Sequence, residues 1–322
     1  MHYDRLFIHA ATLMMKEVMR RSLPKIVYGM GRRLVRQTRR GVGFEPIEEE
    51  ALSEIVRSEL DLREGDLAMV HSSIDSLVLN FSFARLLPLL RRSVGTEGTL
   101  LFPATHLLER PECWFERGEV FDVLRTPTAM GLLPEMARRQ PDAARSQHPT
   151  HSVVAVGPLA EELVATHHCD PYPCGVQSPY AQVAQRGGVI IGLGVDVDVL
   201  TLVHCAEDMG RVAFPVDTHR KQLYEGCVRS ATGHEHTVST RVAHPRIRWR
   251  SMRAFFQRHI SDEVCRRFEV AGRSFYRADA GALLDQMERL AERGITMYRN
   301  GIYRGHFIEP LLSRWAEKLE ER

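Results

Sequence analysis

The chain has 322 residues, of which 44% are hydrophobic and 26% are charged, and its formal net charge is +2. These values are those of an ordinary soluble globular protein with a sizeable core. No apolar run approaches the roughly 20 residues of a membrane-spanning helix, and the N-terminus lacks the long apolar core of a secretory signal. The sequence therefore argues against a transmembrane or secreted protein, and we expect a cytoplasmic one.

Positive charge is concentrated at the N-terminus. Residues 1–40 carry ten Lys and Arg against two acids, so this segment is +8 and the remainder is −6. Apolar residues at helical spacing predict a basic helical extension over residues 1–45. Two interpretations stay open: a solvated face packed on the main domain, or a peripheral contact with an anionic membrane surface or an acidic partner protein. Nucleic-acid binding is not expected, because few aromatic residues are interleaved and no known module is present.

The six cysteines are scattered, and none forms a Cys-x-x-Cys pair. They are expected to be reduced thiols in a cytosolic protein. His167, His168, Cys169 and Cys174 lie close enough in sequence to raise the alternative of a metal site. Because their spacing is irregular and the DPYP between them is typical of a loop, we predict no metal.

The first predicted strand-to-helix junction carries polar residues. A helix over 46–60 precedes a strand over 67–70, and His71, Ser72 and Ser73 follow at its carboxyl end. Free backbone N–H groups and hydroxyls at such a junction can hold phosphates. The same serines would also serve as plain helix caps, so both interpretations stay open.

The middle of the chain alternates between short apolar runs and amphipathic segments. These predict strands over 100–103 and 152–156, and helices over 83–93, 128–139 and 158–166. Residues 106–125 mix aromatic and charged residues without a period. They predict a long loop that can line a substrate site.

A candidate catalytic residue lies between Gly188 and Glu207. The apolar run over 189–191 is bounded by glycines and predicts a buried strand. A glycine turn and a helical pattern carrying His204 follow. A titratable group just past a buried strand is where α/β folds tend to place their chemistry, so His204 is the candidate general base.

The sequence pattern after His204 predicts a hairpin and two further helices. Turn residues Thr232 and Gly233 stand between β-favouring stretches, which indicates a hairpin. Helices are predicted over 251–260 and 278–293, and a charged helical tail follows. With no repeat and no obvious linker, the pattern indicates one compact α/β domain with terminal additions.

Four segments, matched in order and spacing, together carry a specific resemblance. They are VHSSIDSL (70–77), GTEGTLLFPATH (95–106), RTPTAMGLLPEMARRQPDAARSQHPTHSVVAVGPLAEEL (125–163) and SPYAQVAQRGGVIIGLGVDVDVLTLVHCAE (178–207). In these segments, and more weakly in 268–286, the chain resembles the aminoglycoside 3-N-acetyltransferase family, the antibiotic N-acetyltransferases that are distinct from the GNAT fold. The resemblance implies an α/β domain over 46–290 with a central mixed β-sheet flanked by helices. Helical additions are expected over 1–45 and 291–322.

The resemblance also implies a chemistry. The donor would be acetyl-CoA or another acyl-CoA, and the acceptor a small-molecule amine such as an amino sugar or an aminoglycoside-like compound. In the family pattern the base falls on His204, and the CoA side of the cleft falls on the following positions: His71, Ser72, Ser73, Arg145, Ser146 and His148. An amine that attacks a thioester must lose a proton, and a neutral imidazole can accept it without a covalent acyl-enzyme.

The sequence offers several candidates for the carboxylate partner of His204. The family pattern implies an acid about 30–36 residues after the base, where this chain offers only Glu235. Other candidates are Glu207, Asp196, Asp198 and Asp217. The strand beyond Glu235 is basic, with Arg241, His244, Arg246 and Arg248. A basic acceptor side matches an anionic acceptor, such as a nucleotide-linked amino sugar in biosynthesis, better than a polycationic antibiotic.

Two other classes stay open at this stage. The missing acids and the basic N-terminal segment would also suit a catalytically degenerate, partner-binding member of the fold. A metal-dependent hydrolase using the many histidines would contain bound metal at stoichiometric level. The sequence does not fix the oligomeric state, although a homodimer is compatible with it.

Overall fold

The computed structural model describes residues 45–248 and 250–298, except for the side chains of Arg246 and Arg248. The described residues from Ile47 onward form one compact unit. Of the extensions expected over 1–45 and 291–322, residues 1–44 and 299–322 lie outside the described residues, so the two extensions stay predictions. Within the described residues, no helix is both long and apolar enough to cross a bilayer.

Ten strands are found in the described part of the chain. In chain order they are β1 Leu67–Ser72, β2 Thr99–Pro103, β3 Phe121–Asp122, β4 Ala143–Arg145, β5 Val153–Val156, β6 Val189–Leu193, β7 His219–Arg229, β8 Glu235–Ala243, β9 Cys265–Val270 and β10 Arg273–Asp279. Seven of them form one sheet in the order β4-β5-β2-β1-β6-β10-β9. The central strands β2, β1 and β6 are parallel, and the outer strands pair antiparallel. This confirms the predicted mixed sheet.

Helices cover both faces of this sheet. They are α1 Glu49–Glu54, continued by a π-helical turn over Ile55–Glu59, α2 Ile74–Leu77, α3 Leu86–Val94, α4 Pro111–Arg117, α5 Leu132–Arg138, α6 Ala160–Val164, α7 Pro179–Gln185, α8 Val203–Gly210, α9 Met252–His259 and α10 Ala280–Glu292. Successive residues of β1 alternate between two apolar clusters, with Met69 in one and Val70 in the other. Because side chains alternate across a strand, the sheet is buried on both faces, as expected for central parallel strands.

A second sheet of three strands, in the order β3-β7-β8, contains the predicted hairpin. Gly233 occupies a positive φ of 86° in the turn between β7 and β8. The prediction of a loop over 106–125 was wrong, because α4 and β3 lie within it. Trp114 and Phe121 pack against Val228 and Val238, so these aromatic residues form a small core of their own beneath the hairpin.

The strand that leads to His204 approaches its neighbour closely. In β6, Gly192 pairs with His71 of β1 and with Tyr276 of β10. A Cβ atom at Gly192 would lie 2.1 Å from Cε1 of Tyr276, well inside van der Waals contact. Glycine is therefore needed where the Tyr276 ring lies against β6.

Candidate active site

The site lies where two parallel strands end side by side. Ser72, the last residue of β1, pairs with Leu193, the last residue of β6. The Ser73 amide donates to the Leu193 carbonyl at 2.9 Å. Because the carboxyl ends of parallel strands share one edge, the loop after β6 meets the loop after β1. Nε2 of His71 accordingly lies 3.3 Å from Oγ1 of Thr201, three residues before His204.

His204 is paired with a buried carboxylate on its own helix. Its Nδ1 lies 3.0 Å from Oε1 of Glu207, one turn further along α8. Burial acts to raise the pKa of the Glu207 carboxyl, but the charge of His204 and the hydrogen bonds from His204 and Tyr298 hold it below its usual range. An ionised Glu207 accepts a hydrogen bond from Nδ1–H, which leaves the lone pair of the His204 ring on Nε2.

Two residues from later in the chain close over this pair. The Tyr298 hydroxyl donates to Oε1 of Glu207 at 2.6 Å, and Nη1 of Arg250 lies 2.9 Å from Nε2 of His204. Arg250 also hydrogen-bonds to the side chain of Tyr298. Because a guanidinium has only donors, Nε2 is the acceptor in its contact with Arg250. Both contacts therefore agree with the Nδ1–H tautomer of His204.

The space around the pair is narrow. A cavity of about 60 Å³ opens at His204 and is lined by His151, Pro173, Cys174, His204, Glu207, Asp208, His219, Ala243 and Ile247. Small-molecule sites usually enclose about 300–1,000 Å³. An acceptor larger than a few atoms therefore needs the surrounding segments to move apart, and the Arg250 guanidinium already lies 2.9 Å from Nε2.

Two successive carboxyl groups on α8 have opposite tendencies. Burial and the neighbouring Glu207 charge raise the pKa of Asp208 well above its usual range. Asp208 accepts from the Cys174 amide at 2.6 Å and lies 3.2 Å from Nε2 of His219. Burial also lowers the pKa of His219 to about 4. Environments that shift the pKa values of two neighbouring acids in opposite directions let one stay ionised while the other keeps its proton. Glu207 is therefore the ionised member of this pair.

The structure does not bring Glu235 to His204. Glu235 begins β8 and pairs with Arg229, whose Nη2 lies 2.5 Å from Oε1. Ala243, which lines the cavity, is at the other end of the same strand. Eight residues of extended chain at about 3.4 Å each separate them by about 27 Å. The carboxylate beside His204 is thus Glu207, because the helix repeat brings a residue three positions later onto the same face.

Among the residues expected on the CoA side, Arg145, Ser146 and His148 are buried and bonded to other groups of the protein. Arg145 is 7% exposed and donates to the main-chain carbonyls of Ala104 and Thr126. Its burial lowers the pKa of the guanidinium to about 9. Ser146 lies 2.8 Å from Nδ1 of His167, and His148 stacks on the same ring at 4.6 Å. None of the three lines the cavity at His204.

The other three expected residues do lie at the shared strand edge. Ser72 and Ser73 are partly exposed, and Oγ of Ser73 lies 2.9 Å from Oγ of Ser76. His71 is buried, which lowers its pKa to about 3, so it is neutral. Its Nδ1 has no hydrogen-bond partner among the described residues. This edge therefore retains polar groups that a ligand can use.

Sequence reasoning missed Tyr298, Arg250, His151 and His219. The only signal for the observed pair was the three-residue spacing of Glu207 from His204, which also suits an ordinary helix surface. Among residues 45–248 and 250–298, no group of three or more His, Cys, Asp or Glu side chains is arranged to hold a metal ion.

Comparison with known proteins gives a consistent family. The family model described as aminoglycoside 3-N-acetyltransferase matches residues 69–292. Aminoglycoside N(3)-acetyltransferase VIII of Streptomyces fradiae is 36% identical over 162 residues, which cover 46% of this chain and 56% of the relative. Aminoglycoside N(3)-acetyltransferase III of Serratia marcescens is 33% identical over 179 residues, covering 52% and 65%. The matched segment thus spans less than two thirds of either relative.

Two solved structures share the fold. AAC-IIIb in a binary complex with CoASH superimposes with a TM-score of 0.62 at 24% identity, covering 78% of this chain and 98% of that one. The aminoglycoside acetyltransferase AAC(3)-Xa gives a TM-score of 0.66 at 24% identity, covering 83% and 99%. At this identity the likeness is one of fold.

Proposed function

Because this chain belongs to the aminoglycoside 3-N-acetyltransferase family, we propose that it is a CoA-dependent N-acyltransferase with His204 as general base. The observation that carries the proposal is the pairing of His204 Nδ1 with the buried, ionised Glu207 at 3.0 Å. This contact sets the tautomer that leaves Nε2 free of a proton. The names of the relatives and the CoASH bound to one neighbour support acetyl-CoA as the donor.

The proposed reaction is a direct transfer. The acceptor amine attacks the thioester carbonyl, and His204 Nε2 takes the proton that the nitrogen loses. The tetrahedral intermediate then collapses, the C–S bond breaks, and the CoA thiolate leaves and is protonated by the imidazolium. Glu207 stabilises that imidazolium through Nδ1–H. A cysteine intermediate is not needed, and burial raises the pKa of Cys174 well above its usual range, which disfavours a thiolate there.

We place the CoA side of the cleft at the shared end of β1 and β6. Ser72 and Ser73 are partly exposed at this edge, and the Nδ1 of the buried His71 beside them has no hydrogen-bond partner among the described residues. The buried Arg145, Ser146 and His148 are proposed to shape the cleft from behind it. His148 Nδ1 accepts from the His151 amide at 3.2 Å and so fixes the loop that brings His151 to the cavity.

The acceptor must reach Nε2 past Arg250. The family relatives support an aminoglycoside-type amine as the first candidate. Arg250 favours a second candidate, because its guanidinium already lies 2.9 Å from the nitrogen that must receive the proton. An amino sugar carrying a phosphate, as in nucleotide-linked amino sugars, would pair with Arg250 and draw it away from Nε2.

An acyl-transfer assay on the full chain tests the proposed function. Acetyl-CoA is incubated with a panel that includes gentamicin-like amines and nucleotide amino sugars, while free thiol and acylated products are measured by absorbance and mass spectrometry. We expect thiol release that depends on an amine. Absence of transfer to every amine, together with no binding of CoA, would favour the partner-binding member of the fold instead.

Replacement of Arg250 by glutamine is expected to separate the two acceptor classes. Removing the cation should raise kcat/KM for polycationic amines and lower it for phosphate-bearing amines, each by about tenfold, which corresponds to about 1.4 kcal/mol. Arg253→Gln is the matched control, because Arg253 is well exposed and pairs with Asp196 and Asp198. A change in the same direction for both acceptor classes would show that Arg250 does not select the acceptor.

A further inference from the structure

A tyrosine beyond the family-matched segment contacts the catalytic pair. The match ends at residue 292, and Tyr298 follows α10 by six residues. Its backbone forms a β-bridge with Arg250, and the Ser251 amide donates to the Met297 carbonyl at 3.2 Å. We propose that Tyr298 is a positioning residue that holds Glu207 in place for His204, an inference that rests on the proposed function.

The geometry of this contact is fixed by packing on every side. Tyr298 is 3% exposed and Glu207 is 2% exposed. The Tyr298 ring lies edge-on to Phe214, with 6.5 Å between centroids, and Met297 is buried in the main apolar cluster. The hydroxyl therefore has one well-defined position, and from it the distance to Oε1 of Glu207 is 2.6 Å.

Both donors to Glu207 meet on the same oxygen. Oε1 accepts one hydrogen bond from Nδ1–H of His204 and another from the Tyr298 hydroxyl. A buried carboxylate with too few donors either takes up a proton or turns towards other partners. In either case His204 would lose the acceptor that selects its tautomer and its ring orientation.

Tyr298 acts as a donor and not as a second base. Burial, together with the adjacent Glu207 charge, raises the pKa of the phenol well above its usual range, so the hydroxyl keeps its proton. Its hydroxyl also hydrogen-bonds with Arg250, which lies on the Nε2 side of His204, whereas its contact with the His204–Glu207 pair itself is made through Glu207.

Tyr298→Phe removes one oxygen atom and keeps the ring. We expect kcat to fall about tenfold while KM for acetyl-CoA and for the amine changes by less than about twofold, as for loss of a hydrogen bond to a charged group. The acid limb of the pH–rate profile should move down by about half a pH unit, because His204 would lose part of the carboxylate partner that stabilises its protonated form.

Tyr180→Phe is the matched control for stability. Tyr180 is also buried, and its hydroxyl donates to the His151 carbonyl at 3.3 Å without touching Glu207. Both variants should lower Tm, but only Tyr298→Phe should change kcat and the pH profile. Wild-type kcat and pH dependence in Tyr298→Phe, or the same changes in Tyr180→Phe, would overturn the proposal.

A spectroscopic measurement keeps this inference separate from the proposed function. Nitrogen-15 NMR of the His204 imidazole reports its tautomer whether or not the protein turns over. We expect the Nδ1–H tautomer in the wild type and a weaker tautomer preference in Tyr298→Phe. If the wild type transfers no acyl group, the proposed function fails, whereas identical imidazole spectra in both proteins would refute the positioning role.

Discussion

Replacement of His204 by asparagine is expected to lower kcat for acyl transfer by about 10²–10⁴-fold, the usual contribution of a positioned general base. Asparagine can still donate a hydrogen bond to Glu207, so the buried carboxylate keeps a partner and the fold should persist. Thiol release at saturating acetyl-CoA measures the loss. Calorimetric binding of CoA should be unchanged, because the predicted CoA side lies at the ends of β1 and β6.

Two carboxylate variants test which acid supports His204. Glu207→Gln is expected to lower kcat by about 10–10³-fold, since an amide no longer stabilises the imidazolium. Glu235→Gln should change kcat by less than about twofold, because Glu235 pairs with Arg229 on an exposed strand end. The opposite order of effects would restore Glu235 as the partner of His204 and contradict the geometry of α8.

Acidification is expected to unfold the protein well above pH 4. Burial lowers the pKa of His71 and His151 to about 3, and that of His167 and His219 to about 4. Their unfolded-state pKa is about 6.5, so the unfolded chain binds more protons below that pH. Stability is therefore fully present above about pH 6.5 and is lost as pH falls towards the folded-state values.

The expected size of this effect is large. A shift from 6.5 to about 4 is worth at most about 3 kcal/mol per histidine, and domains are stable by only about 5–15 kcal/mol. The free energy of unfolding in urea should be nearly flat from pH 8 to 7 and fall steeply below pH 6. Asp208 has a raised pKa, so it binds a proton more readily in the folded state and makes the unfolding free energy fall less steeply as pH is lowered. An unfolding free energy that stays constant from pH 7 to 5 would show that these histidines take up protons in the folded protein as readily as in the unfolded chain.

His167→Gln provides a control for the acid transition. Nε2 of His167 donates to the Pro173 carbonyl at 2.8 Å, and an amide can replace that bond. The variant should lose part of the pH dependence below pH 6 while keeping the dependence due to the other buried histidines. An unchanged slope would mean that His167 does not contribute to it.

The central strands could be predicted from the sequence, because short apolar runs between glycines have few alternatives. The run over 189–191 lies within β6, and the turn at Thr232 and Gly233 joins β7 to β8. The segment over 106–125 could not be assigned in this way. Its aromatic residues face a small core that only the hairpin completes, so they show no period of their own.

The site was only partly predictable for a related reason. His204 followed from its place after a buried strand, and Glu207 from helical spacing, although the sequence did not favour Glu207 over Glu235. Arg145 has the residue type of a phosphate ligand, but its charge is satisfied by main-chain carbonyls that no sequence pattern reveals. Arg250 and Tyr298 reach the site through a β-bridge across 48 positions, which leaves no local signature.

The site joins contacts that span very different lengths of chain. His204 and Glu207 are three residues apart, so they come together as soon as α8 forms. Tyr298 lies 91 positions after Glu207, and Arg250 lies 46 positions after His204. During translation His204 and Glu207 are therefore made long before the residues that cover them. A nascent chain acquires the finished environment of His204 only after the segment that carries Tyr298 has left the ribosome, so the proposed activity would depend on completion of this part of the fold.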